Sequence, residues 1–493
     1  MPPNLRRGGD PVRVLAGEWI KFRTVRGWVV GMIVAGLLVV GVALLGHSEC
    51  GGIVINGTTV SNSGCTSPLG PGGEAVSDSF YFVHQPLGSA GSLTVRVTSM
   101  TGTAEPWAKA GIIVKASLTQ GSAYAAMMVT GGHGVRMQWN YTQDAPGLAG
   151  TVSAAAPRWL RLTRSGDVLT GYDSADGVHW TRVGTATLAG FPATVQAGLF
   201  AANPGTTNAI SQSLTSGSAA GGITQSTATF DNVTGSAASG WGGTDLNGSI
   251  PGDGYHVASG QFTVTGTGDI APSVPAGAGG GSATGALIGT FAGLIAVIVV
   301  GTSFITAEYR RGLINVTLTA VPHRGRVLAA KAGVLGAVTF VVGLPAAYLA
   351  LLLGEWRLRS GGVFIDPVSV STELRMLVGT AVLLALAAVL ALAIGALARR
   401  AAIAVTAVFV LIVLPYFFAS PLGILPPAVG DWLLRITPAA AFAIQQGYPR
   451  YPQVLAAYTP RNDYYPLAPW LGLAVLAAWT AAALLLGLGR LRD

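Results

Sequence analysis

From Gly27 to Leu45 the chain reads GWVVGMIVAGLLVVGVALL, without a charged residue. As a helix, a run of that length crosses a hydrocarbon core of about 30 Å. Comparable runs recur near 286–305, 332–354, 376–398, 401–419 and 468–488. They predict an α-helical polytopic membrane protein with six transmembrane helices. The first run has too long an apolar core for a removable signal, and no small-x-small cleavage site is evident, so it is expected to stay as an anchor.

Between the first and second runs the period changes from helical to two-fold. SLTVRVTS (Ser92–Ser99) turns Leu93, Val95 and Val97 to one side and polar residues to the other, as a half-buried strand does. AGIIVKAS, AYAAMMVT, GVRMQW, RWLRLTRS, VLTGYDS, HWTRVG, QAGLFAA and ATFDNV follow at hairpin-like spacing. Many short strands predict a large all-β sandwich, or jelly roll, inserted between helices 1 and 2. In SADGVHW (Ser174–Trp180), Asp176-Gly177 makes a turn and Trp180 packs behind it. GQFTVTG adds one more strand, and the Gly/Ala/Ser-rich 276–285 is a tether.

Composition agrees: 50% hydrophobic and 10% charged residues, with a mean hydropathy of +0.53. Charge then orients the helices. With a cytoplasmic N-terminus, the inside segments 1–27, 307–331, Arg399–Arg400 and the tail after Leu488 hold 15 Lys/Arg against 4 Asp/Glu. Excess Lys/Arg in short loops marks the cytoplasmic side. The net +8 thus divides into +11 inside and −3 outside, and gives no reason to expect nucleic acid. Residues 47–285 are expected outside a bacterial cell membrane, with both termini cytoplasmic. Cys50 and Cys65 fall in that outer part, where an oxidising compartment favours a disulfide over two free thiols. Such a bond would contribute about 3 kcal/mol on the chain-entropy model. The six histidines are scattered without ligand spacing, so no metal is expected.

FYFVHQPL, EPWAKAGIIVKAS, RWLRLTRSGDVLTGYDSADGVHWTRVG and ATFDNVTG resemble the concanavalin A-like (lectin/glucanase-like) jelly-roll modules of bacterial secreted proteins, over residues 76–235. The resemblance implies a module that binds glycans. Trp107, Trp139, Tyr141 and Trp180 are the candidate sugar-stacking residues, with the sandwich core as their alternative place. Glycosidase chemistry needs a spaced carboxylate pair, and Asp173 and Asp176 share one turn.

TAEYRRGLINVTLTAVPHRGRVLAAK (Thr306–Lys331) separates the second and third apolar runs. Tyr309, Leu313, Val316 and Ala320 form one stripe of a short helix that Pro322 ends. Arg326 and Lys331 read as headgroup anchors. At the N-terminus Val12, Leu15, Trp19 and Phe22 share an arc, with Arg13, Glu18 and Lys21 elsewhere, as in an interfacial helix. The loop, LAGEWIKFRTVRGWVV (Leu15–Val30) and DWLLRITPAAAFAIQQG (Asp431–Gly447) resemble ATP-binding-cassette exporter permeases of the second exporter type, in their actinobacterial form, over about 12–45 and 286–490. That resemblance implies a coupling loop (Glu308, Tyr309, Arg310, Arg311, Gly312, Pro322, Arg324) that docks on a separate ATPase. It also implies a homodimer or heterodimer of permeases, and short external helices near 431–447. The inserted sandwich departs from the family and leaves the substrate open.

The domains expected are an interfacial helix (1–27), helix 1 (28–46), a disulfide-closed segment (47–75), the sandwich (76–235), a linker (236–285), helix 2 (286–306), the coupling loop (307–331) and helices 3–6 (332–493). The apolar runs carry no ionisable residue for ion coupling, and no lysine follows a glycine as a phosphate-binding loop requires. No cofactor is expected in this chain; ATP and Mg belong to the partner. A membrane-anchored glycan-binding or sensor protein is the alternative, and an enzyme of cell-wall glycan chemistry a third.

Overall fold

A computed structural model describes the chain apart from residues 1–10, 46–52, 56–57, 61–66, 213–216, 223, 236–239, 247, 249, 274–282, 314–318, 320–322, 362–363, 420–425, 455–459, 461–463 and 491–493. Cys50, Cys65 and Pro322 therefore lie outside the described residues. The chain forms two compact units, one comprising Met1–Cys65, Gly279–Arg450 and Ala457–Asp493, the other Thr66–Ala278 with Tyr451–Ala456.

The first unit is helical: α1 (Pro11–Thr24), α2 (Arg26–Leu45), α3 (Thr290–Arg310), α4 (Arg324–Ser360), α5 (Val370–Ala398), α6 (Ala401–Ala419), α7 (Pro427–Ile436) and α8 (Pro469–Arg490). Six of these helices are long and apolar enough to cross a membrane: α2, α3 with the turn before it, α4, α5, α6 and α8. Ser369 caps α5 by accepting the Thr372 N–H at 3.3 Å, and Arg399 ends it in the left-handed region at φ 57°. Pro345 and Pro415 stand inside α4 and α6, which continue through them. The core is built from Leu, Val and Ala of α2–α6 and α8, with Leu294, Leu335, Ala387 and Leu476 wholly buried.

A buried 3₁₀ helix, Pro438–Gln445, packs into this core. Two glycines admit it. A Cβ on Gly379 of α5 would stand 2.0 Å from Ile444 Cγ1, and one on Gly472 of α8 would stand 2.1 Å from the Ala440 carbonyl oxygen. At its end the Gln445 amide donates to Thr290 and Thr380 Oγ1, both at 3.0 Å, and Thr284 Oγ1 donates to the Gln445 carbonyl at 2.8 Å. Each of these polar side chains is buried, and this arrangement leaves the Gln445 donors satisfied.

The second unit is β. Its chain order is β1 (Ile53–Ile55), β2 (Thr58–Val60), β3 (Val76–Asp78), β4 (Tyr81–Leu87), β5 (Ala90–Thr101), β6 (Lys109–Lys115) and β7 (Tyr124–Thr130), of which the first two belong to the other unit. Next come β8 (Val135–Trp139), β9 (Gln143–Pro146), β10 (Arg158–Ser165), β11 (Val168–Ser174), β12 (Thr181–Thr187) and β13 (Val195–Ala202). The last are β14 (Thr206–Gln212), β15 (Gly217–Gly222), β16 (Ser226–Gly235), β17 (Gly242–Asp245), β18 (Gly254–Ala258), β19 (Gln261–Gly266) and β20 (Ile270–Pro272). Two antiparallel seven-stranded sheets form, in the orders β12-β11-β10-β5-β16-β19-β18 and β17-β4-β13-β6-β7-β8-β9.

One apolar cluster joins both sheets through Val95, Leu160, Leu162 and Phe230 from the first and Val83, Ile112, Met127 and Leu199 from the second. The second sheet is buried on its other face too, by Val76, Phe80, Tyr141 and Ile270. That is why β6 and β7 lose the in–out alternation and are buried at every position.

Two boundaries differ from the sequence expectation. The sheets do not stop at 235: besides the expected strand GQFTVTG, which is β19 and pairs with β16, the stretch expected as linker holds β17, paired with β4, and β18, paired with β19. The gap between the second and third apolar helices is also shorter than 307–331, because α3 runs to Arg310 and α4 begins at Arg324. Arg-Gly-Arg-Val-Leu-Ala-Ala-Lys is mostly good helix-forming sequence, so α4 starts ahead of its apolar run.

Candidate functional site at the helix ends

Three helices bring charges together within the helical unit. Lys331 of α4, wholly buried, lies 2.6 Å from Glu18 Oε2 of α1 and 2.6 Å from Glu308 Oε1 of α3. Lys21 closes the group, 2.8 Å from Glu18 Oε1 and 3.3 Å from Glu308 Oε1. Two carboxylates face two ammonium groups, so the cluster is neutral. Glu18 and Glu308 are 3% and 4% exposed, whereas the Lys21 side chain is 38% exposed. Burial lowers the Lys21 ammonium, but hydrogen bonds and charge from Glu18 and Glu308 outweigh it and hold it above its ordinary value. Beneath the charges, the Phe304 ring lies 4.6 Å from Lys331 Nζ, and it meets Phe22 and Trp28 edge-on at 5.5 and 4.8 Å.

The local folding reason is spacing. Val14, Glu18 and Phe22 follow at i, i+4 and i+8 and form the buried stripe of α1. Val12, Leu15, Trp19 and Ile20 stay exposed on the other side. Phe22 thus leaves the exposed arc expected for it, and Glu18 leaves the polar side. On α3, Phe304 and Glu308 repeat the same i, i+4 spacing. Next to Glu308, Tyr309 lies under the Arg399 guanidinium at 5.6 Å, and Arg399 Nη2 donates to the Arg490 carbonyl at 3.1 Å. The ends of α3, α5 and α8 are tied by that arginine.

The seven coupling candidates divide accordingly. Glu308, expected to contact a partner surface directly, is buried and faces Lys331; its place is inside the joint. Tyr309 is half-buried, while Arg310, Arg311, Gly312 (φ +66°) and Arg324 are exposed. Lys331, read as a headgroup anchor, is the centre of the cluster. Periodicity missed it because a lysine at the end of an apolar run looks like a snorkelling residue.

The four aromatic candidates of the sandwich are not one surface. Trp107 is 4% exposed and stacks on His133 at 4.1 Å, and Tyr141 is wholly buried with its hydroxyl donating to Asp78 Oδ2 at 2.7 Å. Both are buried: Tyr141 belongs to the apolar layer on the covered face of the second sheet, and Trp107 is enclosed by His133, Lys109 and Arg136. Trp139 is partly buried against the core between the sheets. Trp180 alone sits in an open turn, where Arg161 covers its ring at 3.8 Å.

That turn is held by Asp176, which accepts the N–H of Val178 and of His179, each at 2.8 Å, and lies 2.7 Å from His179 Nδ1. Gly177 takes φ +77° there. Asp176 raises the His179 imidazole above its ordinary 6.5, and D176N should let it fall back toward that value in a histidine-labelled NMR titration. An unchanged His179 titration in D176N would remove the pairing. Asp173, by contrast, points into the core and is buried, with Oδ2 accepting the Leu148 N–H at 2.6 Å. Burial pushes its carboxyl up. No group of three or more metal-binding side chains occurs among the described residues.

No protein-family model matches the sequence, and no curated protein matches it. Among solved structures, a functionally unknown protein from Saccharomyces cerevisiae is 20% identical, with a TM-score of 0.22, over 33% of this chain and 76% of its own. A mutant of the GH43 protein BlXynB from Bacillus licheniformis is 18% identical, with a TM-score of 0.19, over 23% and 24%. Scytalido-glutamic peptidase is 8% identical, with a TM-score of 0.24, over 38% and 98%.

Proposed function

We propose that this chain is the membrane-spanning permease subunit of an ATP-driven exporter of the ATP-binding-cassette type. The observation that carries the reading is the buried Glu18–Lys331–Glu308–Lys21 cluster, which locks α1 to both helices flanking residues 311–323. A push on that segment moves α1, α3 and α4 together, since separating any of the three would expose an unpaired charge in a low-dielectric site. Arg310, Arg311 and Arg324, exposed beside the joint, are the charges that meet a cytoplasmic ATPase through charge-assisted hydrogen bonds.

In this reading the six apolar helices span the bilayer, both termini are cytoplasmic, and the sandwich is extracellular. Two permease chains form the pathway at their interface, and the cargo is amphipathic or glycan-related. The chain binds no nucleotide itself; ATP and Mg sit on the partner. R310E/R311E should abolish co-purification of the ATPase and export while leaving the protein at its normal level in the membrane. Retained ATPase and export in that variant would remove the segment, and the orientation with it, from the mechanism.

A further inference from the structure

We propose that Arg399, Arg400 and Arg490 form a binding site for the headgroup of an anionic phospholipid. The site lies at the end of the helical unit where α5 and α8 finish and α6 begins. The chain passes from α5 to α6 through two residues, both arginines. Arg399 makes that turn in the left-handed region, and its N–H donates to the Gly395 carbonyl at 2.9 Å. Its guanidinium lies over the Tyr309 ring, and Nη2 donates to the Arg490 backbone carbonyl. That bond sets the α5–α6 turn beside the last residue of α8 and leaves the Arg490 side chain uninvolved.

Nothing described at this end balances the charge. All three arginines are exposed, and none pairs with a carboxylate among the described residues. The acids of the neighbouring α1 and α3, Glu18 and Glu308, are buried and spent on Lys21 and Lys331. Arg492 and Asp493 follow Arg490 in the sequence, outside the described residues, and offset one another. The remaining cations are guanidiniums, whose planar fork takes a phosphate through two parallel hydrogen bonds.

One turn further along the same helices the surface is apolar. Ile403 follows Arg400 at i+3 on α6 and is 54% exposed. On α8, Leu486 precedes Arg490 at i−4, on the same stripe, and Leu485 and Leu486 are 68% and 65% exposed. Cations therefore stand about 5 Å, one helical pitch, beyond exposed hydrocarbon. A phospholipid carries phosphate and chains in that order, and basic pockets between membrane helices hold such headgroups. A free phosphate would use the arginines only. A choline headgroup brings its own cation and gains least from three more. The proposal rests on the placement of the six helices in the bilayer given above, and not on export or an ATPase.

The test uses the purified full chain in non-ionic detergent. Native mass spectrometry measures retention of phosphatidylglycerol, of phosphatidylcholine with the same chains, and competition by inorganic phosphate. Phosphatidylglycerol should bind at least tenfold tighter than phosphatidylcholine, and phosphate at equal concentration should not displace it. R400Q/R490Q, which leaves the Arg399 contacts in place, should weaken phosphatidylglycerol binding at least tenfold. L485S/L486S should weaken it too, as a site for phosphate alone would not. R357Q/R359Q removes the same charge from the far end of α4 and should leave the affinity unchanged. Equal phosphatidylglycerol affinity in wild type and R400Q/R490Q would overturn the proposal, as would equal retention of the two lipids. A loss in R357Q/R359Q as large as in R400Q/R490Q would reduce the effect to bulk charge and overturn it as well. R400Q/R490Q that keeps the lipid but loses the ATPase would assign these arginines to a protein partner instead. Because the lipid measurement contains no ATPase, a failure of the export reading leaves its outcome untouched.

Discussion

Lys331→Met destabilises the helical unit by about 3–5 kcal/mol, the usual result of stranding buried charges by removing one partner. The stranded groups are Glu18 and Glu308, at 3% and 4% exposure, left with only the half-open Lys21 between them. Lys21→Met is the contrasting case: its side chain is 38% exposed, and a pair screened by solvent contributes about 0–1 kcal/mol. Adding E18Q and E308Q to K331M removes the stranded charges and should recover most of the loss, since buried ion groups exchanged for neutral ones are often no less stable. Thermal unfolding in nanodiscs of one lipid composition measures all three.

The recovered triple variant then separates stability from coupling. With the buried charges gone, α1 is held to α3 by Phe22 against Phe304 and to α4 by Val14 against Val327 and Ala330. Such a variant should keep its ATPase partner, because Arg310 and Arg311 are untouched, yet export less per ATP hydrolysed. A triple variant with normal stability and normal export would make the cluster a packing feature only. K331M within 1 kcal/mol of wild type would show that the charges are hydrated.

Much of this architecture is legible in the sequence, for a physical reason that also sets its limit. Alternation located β5 because Leu93, Val95 and Val97 face one core. β6 and β7 were found by their apolar composition instead, because burial on both faces erases the alternation. β18 was invisible: four of its five residues are exposed, so it carries no burial pattern, and only pairing with β19 makes it a strand. Long apolar runs found the six helices but placed the start of α4 too late, because Arg324 and Arg326 are good helix formers outside the apolar stretch.

The candidate site shows the limit more sharply. Glu18 and Lys331 are 313 positions apart, and neither carries a local sign that it is buried. Patterns of apolar and polar residues assign every lysine to water. A buried ion cluster violates that rule only because its partners arrive from elsewhere in the chain. The one available hint was Glu18 between Val14 and Phe22 on a single helical stripe. Trp107 and Tyr141 show the same limit from the other side: an aromatic ring in a β-domain reads the same whether it stacks on a ligand or is buried, so the sequence left both places open and the structure gives the buried one.

Asp78→Ala is the second large effect, in the β unit. Asp78 Oδ2 accepts from Lys115 Nζ at 2.6 Å, from Tyr141 Oη at 2.7 Å and from the Gly121 N–H at 2.7 Å. Asp78 and Lys115 have no exposed side-chain surface, and the pair lies beneath the layer that covers the second sheet. Burial already holds the Lys115 ammonium below its ordinary 10.5 despite the opposing pull of Asp78. Removing the carboxylate leaves a buried cation without its counter-charge, a loss of about 3–5 kcal/mol. For a unit of this size that lowers the unfolding midpoint by on the order of 10 °C. D78A/K115M should return most of it, and D231A, which breaks the partly exposed pair with Arg96, should cost about 0–1 kcal/mol. The pH dependence has a definite sign. A native Lys115 that releases its proton early leaves the unfolded chain binding more protons in the window below 10.5, so the Lys115 contribution to stability rises with pH there. D78A should widen that window downward, while D78A/K115M should lose it. Equal midpoints for D78A and D231A would mean that water reaches Lys115 and that the covering layer is not closed.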